Sequence, residues 1–314
     1  MRFKTRLLHL ALLASIGSAS LLAYAERMCQ IQDAVTVQQN VWTLCARDRL
    51  YSTSDLGKTW QFVTLPPETL YRGLIFVDAR RAFIVGDAGT LLASEDGGKT
   101  WAPRKIPSTD NLTDITFVGE SGWIVGHSGL VLHTADGGRT WARQETKLAQ
   151  GLASVFFRDD QNGWAVGWIG VVIRTKDGGK TWERRDIADA NWSLSCVHFR
   201  DAKNGWILGM FGQMLRTKDG GETWQLQPMP SKNLLTFVYF DAAGRGYATV
   251  DNDVLTSQDQ GEKWDAAGIG QWLFLKRLVA VGNTVWAVGT FQIMQFDSAK
   301  KQWVLLPNVP STQT

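Results

Sequence analysis

Apolar and polar residues alternate in short runs along most of the chain, and one stretch shows the pattern clearly. Residues 111–118 alternate with a period of two, and two short apolar runs follow at 122–125 and 130–133. A fourth short segment, the mostly polar residues 142–145, comes after the sequence TADGGRTW. Such runs, bounded by glycine-containing turns, are typical of β-strands. The pattern predicts four short antiparallel strands joined by tight turns.

This unit recurs with a period of about forty residues along the chain. The segment before the fourth strand reads, in order, TSDLGKTW, SEDGGKTW, TADGGRTW, TKDGGKTW, TKDGGETW and SQDQGEKW, and a degenerate copy, FDSAKKQW, ends the series. The closing tryptophans are 41, 40, 41, 42, 40 and 39 residues apart. Four strands per period is typical of a β-propeller blade. We therefore expect an all-β, seven-bladed β-propeller with four antiparallel strands per blade, forming one domain over residues 26–310, with a short tail at 311–314.

The repeated segment is expected to be a turn rather than a ligand site. The letters GKT in TKDGGKTW would need a glycine five residues before Gly179 to form a P-loop, and that position is Arg174. A calcium loop would need further oxygen ligands and a distal glutamate. In each copy the aspartate can accept backbone hydrogen bonds and the tryptophan can pack between blades. These structural residues are Asp55, Asp96, Asp136, Asp177, Asp219 and Asp259, with Trp60, Trp101, Trp141, Trp182, Trp224 and Trp264.

These segments resemble a known family. The motif S/T-x-D-x-G-x-T-W is the Asp box, which also occurs in sialidases, xyloglucan-cleaving hydrolases and sorting-receptor ectodomains. Combined with second strands such as Gly163-Trp-Ala-Val-Gly167, the chain is similar to the photosystem II stability and assembly factor family of seven-bladed Asp-box (BNR-like) propellers. The sixth repeat departs from the pattern at 247–250, where no glycine follows, and the seventh box has lost its register. Members also occur in bacteria that do not photosynthesise, so the resemblance implies an assembly or scaffolding role.

The repeat accounts for twelve of the fifteen tryptophans. Seven close the boxes, and five lie on second strands, where Phe83 and Tyr247 replace tryptophan in the other two blades. The five are Trp42, Trp123, Trp164, Trp206 and Trp286. The remaining three, Trp168, Trp192 and Trp272, fall in connections that a propeller places on the face opposite the Asp boxes.

Two neighbouring turns on that face carry large apolar residues where tight turns favour Asn, Asp, Ser or Gly. They are Gly167-Trp-Ile-Gly170 and Gly209-Met-Phe-Gly212, and the last blade has Gly289-Thr-Phe-Gln292. If exposed, these side chains form an apolar patch, which favours a binding surface. Alternatively, they fold inward and close the mouth of the channel. The candidate partner-binding residues are Trp168, Ile169, Met210, Phe211, Phe291, Trp192, Trp272 and His127.

The N-terminus indicates export. Residues 1–25 combine a basic start, an apolar run and the small-x-small sequence Ala23-Tyr24-Ala25, which predicts a secretory signal peptide; an uncleaved anchor is the alternative. Removing three basic groups brings the formal charge of +3 close to zero. Without a basic surplus, a nucleic-acid partner is not expected. We expect a periplasmic protein, or one in a compartment like the thylakoid lumen.

The three cysteines leave two possibilities open. Cys29 and Cys45 could form a disulfide that ties the N-terminal arm to the first blade in an oxidising compartment, leaving Cys196 free. Alternatively, all three are small buried hydrophobic residues. Their spacing matches no zinc pattern, and we expect no metal and no cofactor.

The sequence favours a binding protein over an enzyme. The F-R-I-P segment of sialidases is absent, and Arg104-Lys-Ile-Pro107 is the nearest string. Four acids are expected on or near the binding face, either as solvated loop residues or as a glycosidase pair: Asp87, Asp110, Asp114 and Asp189. We expect a monomeric, non-catalytic scaffold that binds a membrane protein or envelope complex and no nucleotide. The alternative is a glycan-binding or sialidase-like glycan-cleaving propeller.

Overall fold

The computed structural model describes residues 29–67, 69–187, 192–269, 274–282, 284–297 and 302–306, which form 28 β-strands in seven four-stranded sheets. The expected signal peptide, the C-terminal tail, Asp189 and Trp272 lie outside the described residues. Within the described ranges, no helix is long and apolar enough to cross a membrane. The seven-bladed β-propeller predicted from the repeat is confirmed.

The blades follow one another in chain order. In the first three blades, β1–β4 span Ile31–Val37, Asn40–Cys45, Arg49–Thr53 and Gln61–Thr64; β5–β8 span Tyr71–Phe76, Ala82–Gly86, Leu91–Ser94 and Ala102–Pro103; β9–β12 span Leu112–Val118, Ser121–Gly126, Val131–Thr134 and Ala142–Gln144. In the next two, β13–β16 span Leu152–Phe157, Gly163–Gly167, Val172–Thr175 and Glu183–Arg184; β17–β20 span Leu194–Phe199, Gly205–Gly209, Met214–Thr217 and Gln225–Gln227. In the last two, β21–β24 span Leu235–Phe240, Gly246–Val250, Asp253–Ser257 and Asp265–Ala266; β25–β28 span Leu275–Val281, Thr284–Gly289, Ile293–Asp297 and Gln302–Leu305.

Each sheet consists of four consecutive antiparallel strands. The first strands of neighbouring blades contact one another in a closed ring, and β25 of the last blade contacts β1 of the first. The innermost strands therefore line the central axis, while the fourth strands lie at the outer edge. Second strands are buried on both faces, which explains why they are almost continuously apolar.

The Asp-box turns have the hydrogen bonds that their sequence predicts. In the fourth blade, the carboxylate of Asp177 accepts bonds from the backbone N–H of Thr181 (2.9 Å), from the Thr181 hydroxyl (2.6 Å) and from the Thr175 hydroxyl (2.8 Å). The N–H of Gly179, at φ +87°, donates to the Thr175 hydroxyl. One aspartate thus joins both ends of the turn.

Aromatic side chains fill the space between blades. Trp123 of the third blade stacks on Phe157 of the fourth at a ring-centroid distance of 3.5 Å, and Trp182 meets Phe157 edge-on. The indole N–H of Trp123 also donates to the carbonyl of Gly178 in the fourth-blade Asp box. Related pairs of a second-strand tryptophan with the next blade's first-strand phenylalanine are Trp42–Phe76, Trp164–Phe199 and Trp206–Phe240.

The seam between the last and first blades has its own cluster. Cys29 and Cys45 form a disulfide and pack in a buried cluster with Trp286 of the last blade, while Cys196 is free and buried. The Ile31 N–H donates to the carbonyl of Thr290 across the seam (2.8 Å). Among the described strands, none from one end of the chain completes a sheet at the other, so side-chain packing and this backbone bond hold the seam together. The disulfide joins the N-terminal arm to the first blade beside the seam.

Candidate partner-binding surface

Four blades carry the same tight turn between their second and third strands. In the fourth blade the N–H of Val171 donates to the carbonyl of Trp168, and both central residues have positive φ: Ile169 at +55° and Gly170 at +66°. The fifth blade repeats this geometry with Phe211 at +59° and Gly212 at +67°. Two consecutive positive φ angles define a type I′ turn, which favours Asn, Asp or Gly at its first central position.

The first central position distinguishes the blades. The second and third blades place the small residues Ala88 and Ser128 there. In the fourth and fifth blades the same position holds Ile169 and Phe211, whose exposed fractions are 64% and 63%. A bulky residue in the left-handed region costs roughly 1–2 kcal/mol. Because both side chains are largely in solvent, burial within the chain does not offset this strain.

The residues that precede them extend the apolar area. Trp168 is 42% exposed and Met210 is 39% exposed. His127, at the equivalent position of the third blade, meets the Trp168 ring edge-on at a centroid distance of 4.7 Å. We refer to His127, Trp168, Ile169, Met210 and Phe211 as the apolar turn surface.

Trp192 links the two turns but contributes less exposed area than the sequence led us to expect. Its carbonyl accepts a hydrogen bond from the N–H of Gly170 (2.8 Å), and its indole lies against Gly209 at the start of the next turn. The ring is partly buried and packs on the cluster between the fourth and fifth blades. Trp192 therefore supports the apolar turn surface from beneath instead of standing at its tip.

Phe291 belongs to a separate part of the same face. It is 36% exposed in the seventh-blade turn, and the whole sixth blade lies between it and Met210. Sequence reasoning missed its neighbour Phe274, which is 51% exposed at φ +46° and whose carbonyl accepts a bond from the Thr290 N–H. The apolar run of residues 272–274 just before a strand was the available signal.

Three of the four acids expected on or near this face are described, and each has a partner within the chain. Asp87 pairs with Arg72, and Asp110 accepts a bond from the Ser108 hydroxyl. Asp114 is not a solvated loop acid: it lies on the innermost strand β9, where its carboxylate accepts bonds from the N–H groups of Ile115 and Val155 (both 2.9 Å). Through Val155 it joins the third blade to the fourth, next to a bulge in β9.

The innermost strands carry a few charged groups near the axis. Burial raises the pKa of Asp33 and of Asp114, and the positive charge of Arg277 opposes this rise in both. Asp33 accepts bonds from the N–H groups of Ala34 and Leu74, so it also joins two blades. Both carboxylates are occupied by backbone donors. No group of three or more potential metal ligands occurs in the part of the chain that the structure describes.

These features define a seven-bladed Asp-box propeller with an apolar surface on the face opposite its boxes. A family model described as photosynthesis system II assembly factor YCF48 matches residues 52–149 and 143–271. The chain belongs to this family.

One sequence relative agrees with this assignment, and two solved structures share the fold. The photosystem II stability/assembly factor HCF136 of Arabidopsis thaliana is 38% identical over 74 residues, a segment that covers 20% of this chain and 18% of that relative. A solved structure of YCF48 bound to D1 peptide superimposes with a TM-score of 0.65 at 22% identity, covering 79% of this chain and 85% of that one. An ancestral GH74 enzyme reaches a TM-score of 0.71 at 12% identity, covering 88% of this chain and 46% of that one. The 22% and 12% identities of the two solved structures establish only a shared fold, and this fold hosts both binding proteins and enzymes.

Proposed function

We propose that this protein is a non-catalytic scaffold that holds a membrane protein, or an envelope complex containing one, during assembly. The apolar turn surface is the site of contact. Family membership supports the assembly role, and one structural relative, YCF48, was solved with a bound D1 peptide. The proposal extends that kind of partner, a segment of a membrane protein, to this chain.

The observation that carries the proposal is the residue choice at two turn positions. Ile169 and Phe211 are strained by their backbone conformation and are mostly exposed. Folding alone would favour asparagine or glycine at both positions. Strain that the fold does not require is typical of functional sites. A partner that buries both side chains would provide the missing compensation.

The chemistry of the surface suits a protein segment. Its aromatic and methionine side chains are enriched in the centres of protein interfaces, where they become fully desolvated. His127 adds a polar edge beside Trp168 that can fix the orientation of a bound segment. A glycan site would need hydrogen-bonding groups among the aromatic rings, and Ile169, Met210 and Phe211 offer none with their side chains.

The proposed compartment is the periplasm or one equivalent to it. The disulfide between Cys29 and Cys45 supports an oxidising environment. The basic and apolar N-terminal residues 1–25 support export.

A titration with a D1 peptide tests the surface directly. The variant Trp168→Ser/Phe211→Ser should bind at least about 30-fold more weakly, since loss of an interface hot spot costs roughly 2 kcal/mol or more. The control is Ala88→Asn, which changes the equivalent turn of the second blade and should bind as the wild type does. If all three proteins bind alike, the apolar turn surface is not the site.

The same variants identify a different partner if the D1 peptide does not bind the wild type. Detergent-solubilised membranes are then passed over each immobilised protein. One membrane protein retained by the wild type and the control but lost from the double variant supports the scaffold. A wild type that retains only glycans on an array supports the sugar-binding alternative.

A further inference from the structure

The third strands reveal how each blade covers its second-strand aromatic ring. In the fourth blade Arg174 lies opposite Trp164, with its guanidinium carbon 5.1 Å from the ring centroid. Arg174 donates to Glu222 of the fifth-blade Asp box at 2.6 Å. The fifth and sixth blades repeat the arrangement with Arg216, Trp206 and Glu262. Both arginine side chains are almost fully buried, so these blade interfaces are filled.

The interface between the second and third blades lacks both the third-strand arginine and the glutamate of the next blade's Asp box. The residue opposite Phe83 is Ala93, and the Asp-box position equivalent to Glu222 is Arg139. The space that an arginine side chain fills elsewhere is here a cleft of about 500 Å³. Its lining combines Phe83 and Ala93 with four arginines and two acids: Arg80, Arg81, Arg104, Arg139, Asp78 and Glu95.

Two of the four guanidinium groups have no ion-pair partner among the described residues. Arg81 pairs with Asp78 and Glu120, and Arg104 pairs with Glu95. Arg80 and Arg139 form no ion pair with any described residue; each donates to a backbone carbonyl, of Glu95 and Asp136 respectively. The cleft therefore has a surplus of positive charge, and the remaining N–H groups of Arg80 and Arg139 can donate to a ligand.

We infer that this cleft binds a phosphate group. Arg80 belongs to the second blade and Arg139 to the third, so their donors approach the cleft from two sides. A tetrahedral dianion can accept hydrogen bonds on separate oxygens from both, whereas a carboxylate matches a single guanidinium fork. The cleft lies beside the Asp-box turn of residues 136–141, on the face opposite the apolar turn surface. The site is thus independent of the proposed partner contact.

Residues of the fourth and fifth blades, placed at the equivalent positions of the second and third, give the variant that tests this site most directly. Ala93→Arg/Arg139→Glu copies the Arg174–Glu222 pair into the cleft, filling it and removing one free arginine while preserving a combination that this fold already accommodates. A second variant, Arg80→Gln/Arg139→Gln, removes the two free charges and leaves the cleft open. Melting temperatures confirm that both variants fold.

Inorganic phosphate is titrated into each protein by calorimetry at constant ionic strength, up to about 20 mM, a range that covers the affinity expected of a few charge-assisted hydrogen bonds. The wild type should bind one phosphate per chain, and both variants should bind at least about tenfold more weakly. Phenyl phosphate, titrated in parallel, distinguishes an organic phosphate, if it binds more tightly, from a free phosphate, if it does not. Absence of saturable binding to the wild type, or equal binding to all three folded proteins, would overturn the inference.

Discussion

Arg277 of the seventh blade and Asp33 of the first form a 3.1 Å ion pair across the seam where the ring closes. The guanidinium carbon of Arg277 also lies 4.4 Å from the ring centroid of Phe237 in the sixth blade. Arg277 therefore connects three blades at the axis. Because no exchange among the described strands closes the ring, this pair is expected to matter more for stability than an ion pair at the outer edge.

Replacing Arg277 with methionine should lower the free energy of unfolding by about 2–4 kcal/mol at neutral pH, since it leaves the Asp33 carboxylate buried without its counter-charge. Loss of the arginine raises the pKa of Asp33 further above its ordinary value. A carboxyl whose pKa is raised in the folded state binds its proton more tightly there than in the unfolded state. The loss in the free energy of unfolding caused by the substitution should therefore be smallest at acidic pH and grow as the pH rises. Urea unfolding of both proteins at several pH values measures this difference. A penalty that is constant with pH would show that Arg277 acts through packing alone.

The Cys29–Cys45 disulfide, which joins the N-terminal arm to the first blade beside this seam, should also stabilise the protein. Reduction of the Cys29–Cys45 bond, or its replacement by two serines, is expected to cost about 3 kcal/mol, the value typical of a closed loop of this length. Thermal unfolding with and without reductant measures the change in melting temperature. The control is Cys196→Ser, which leaves the disulfide in place and should keep the sensitivity to reductant. Equal melting temperatures in both conditions would contradict this contribution to stability.

Relief of turn strain gives an unusual prediction: substitutions to a polar residue should stabilise the protein. Ile169→Asn and Phe211→Asn should each raise the free energy of unfolding by about 1 kcal/mol, because asparagine tolerates the left-handed region better than branched or bulky residues. Ile169→Val keeps the β-branch and should give no gain. Chemical denaturation measures all three. A loss of stability in the asparagine variants would mean that the apolar side chains pack within the chain.

Acid should weaken the Asp-box turns. Hydrogen bonds from the Thr59 hydroxyl hold the pKa of Asp55 down at about 2, and those from Thr100 do the same for Asp96. A carboxyl whose folded pKa lies below its unfolded value of about 4 stabilises the fold above that pH, and the contribution is lost as the pH falls through about 2. Thr100→Val should raise the pKa of Asp96 toward the ordinary value, as measured by NMR titration. An unchanged pKa would show that backbone donors alone set it.

The repeat made the fold predictable, because a turn with fixed chemistry recurs at a fixed period. The Asp-box aspartates and the tryptophans of the second strands follow from local sequence, and the structure places them accordingly. The first-strand phenylalanine Phe157 could not be assigned to the blade interface in this way. Its alternation pattern does not specify which face of the strand contacts the neighbouring blade.

Contacts between distant residues were beyond sequence reasoning. Asp114 was expected to be a solvated loop acid or a member of a glycosidase pair, but its carboxylate bonds to the N–H of Val155 in the fourth blade. The pair between Asp33 and Arg277 joins residues from opposite ends of the chain. The sequence left open whether Ile169 is exposed or folds inward to close the mouth of the channel. The turn conformation decides between the two.

The most direct test of the account combines stability and binding in one variant. Ile169→Asn/Phe211→Asn is predicted to unfold at a higher denaturant concentration than the wild type and, at the same time, to lose the membrane-protein segment that the wild type binds. That outcome would show that these two side chains are maintained for a partner at the expense of stability. A variant that is more stable and binds the partner as tightly as the wild type would contradict the central claim.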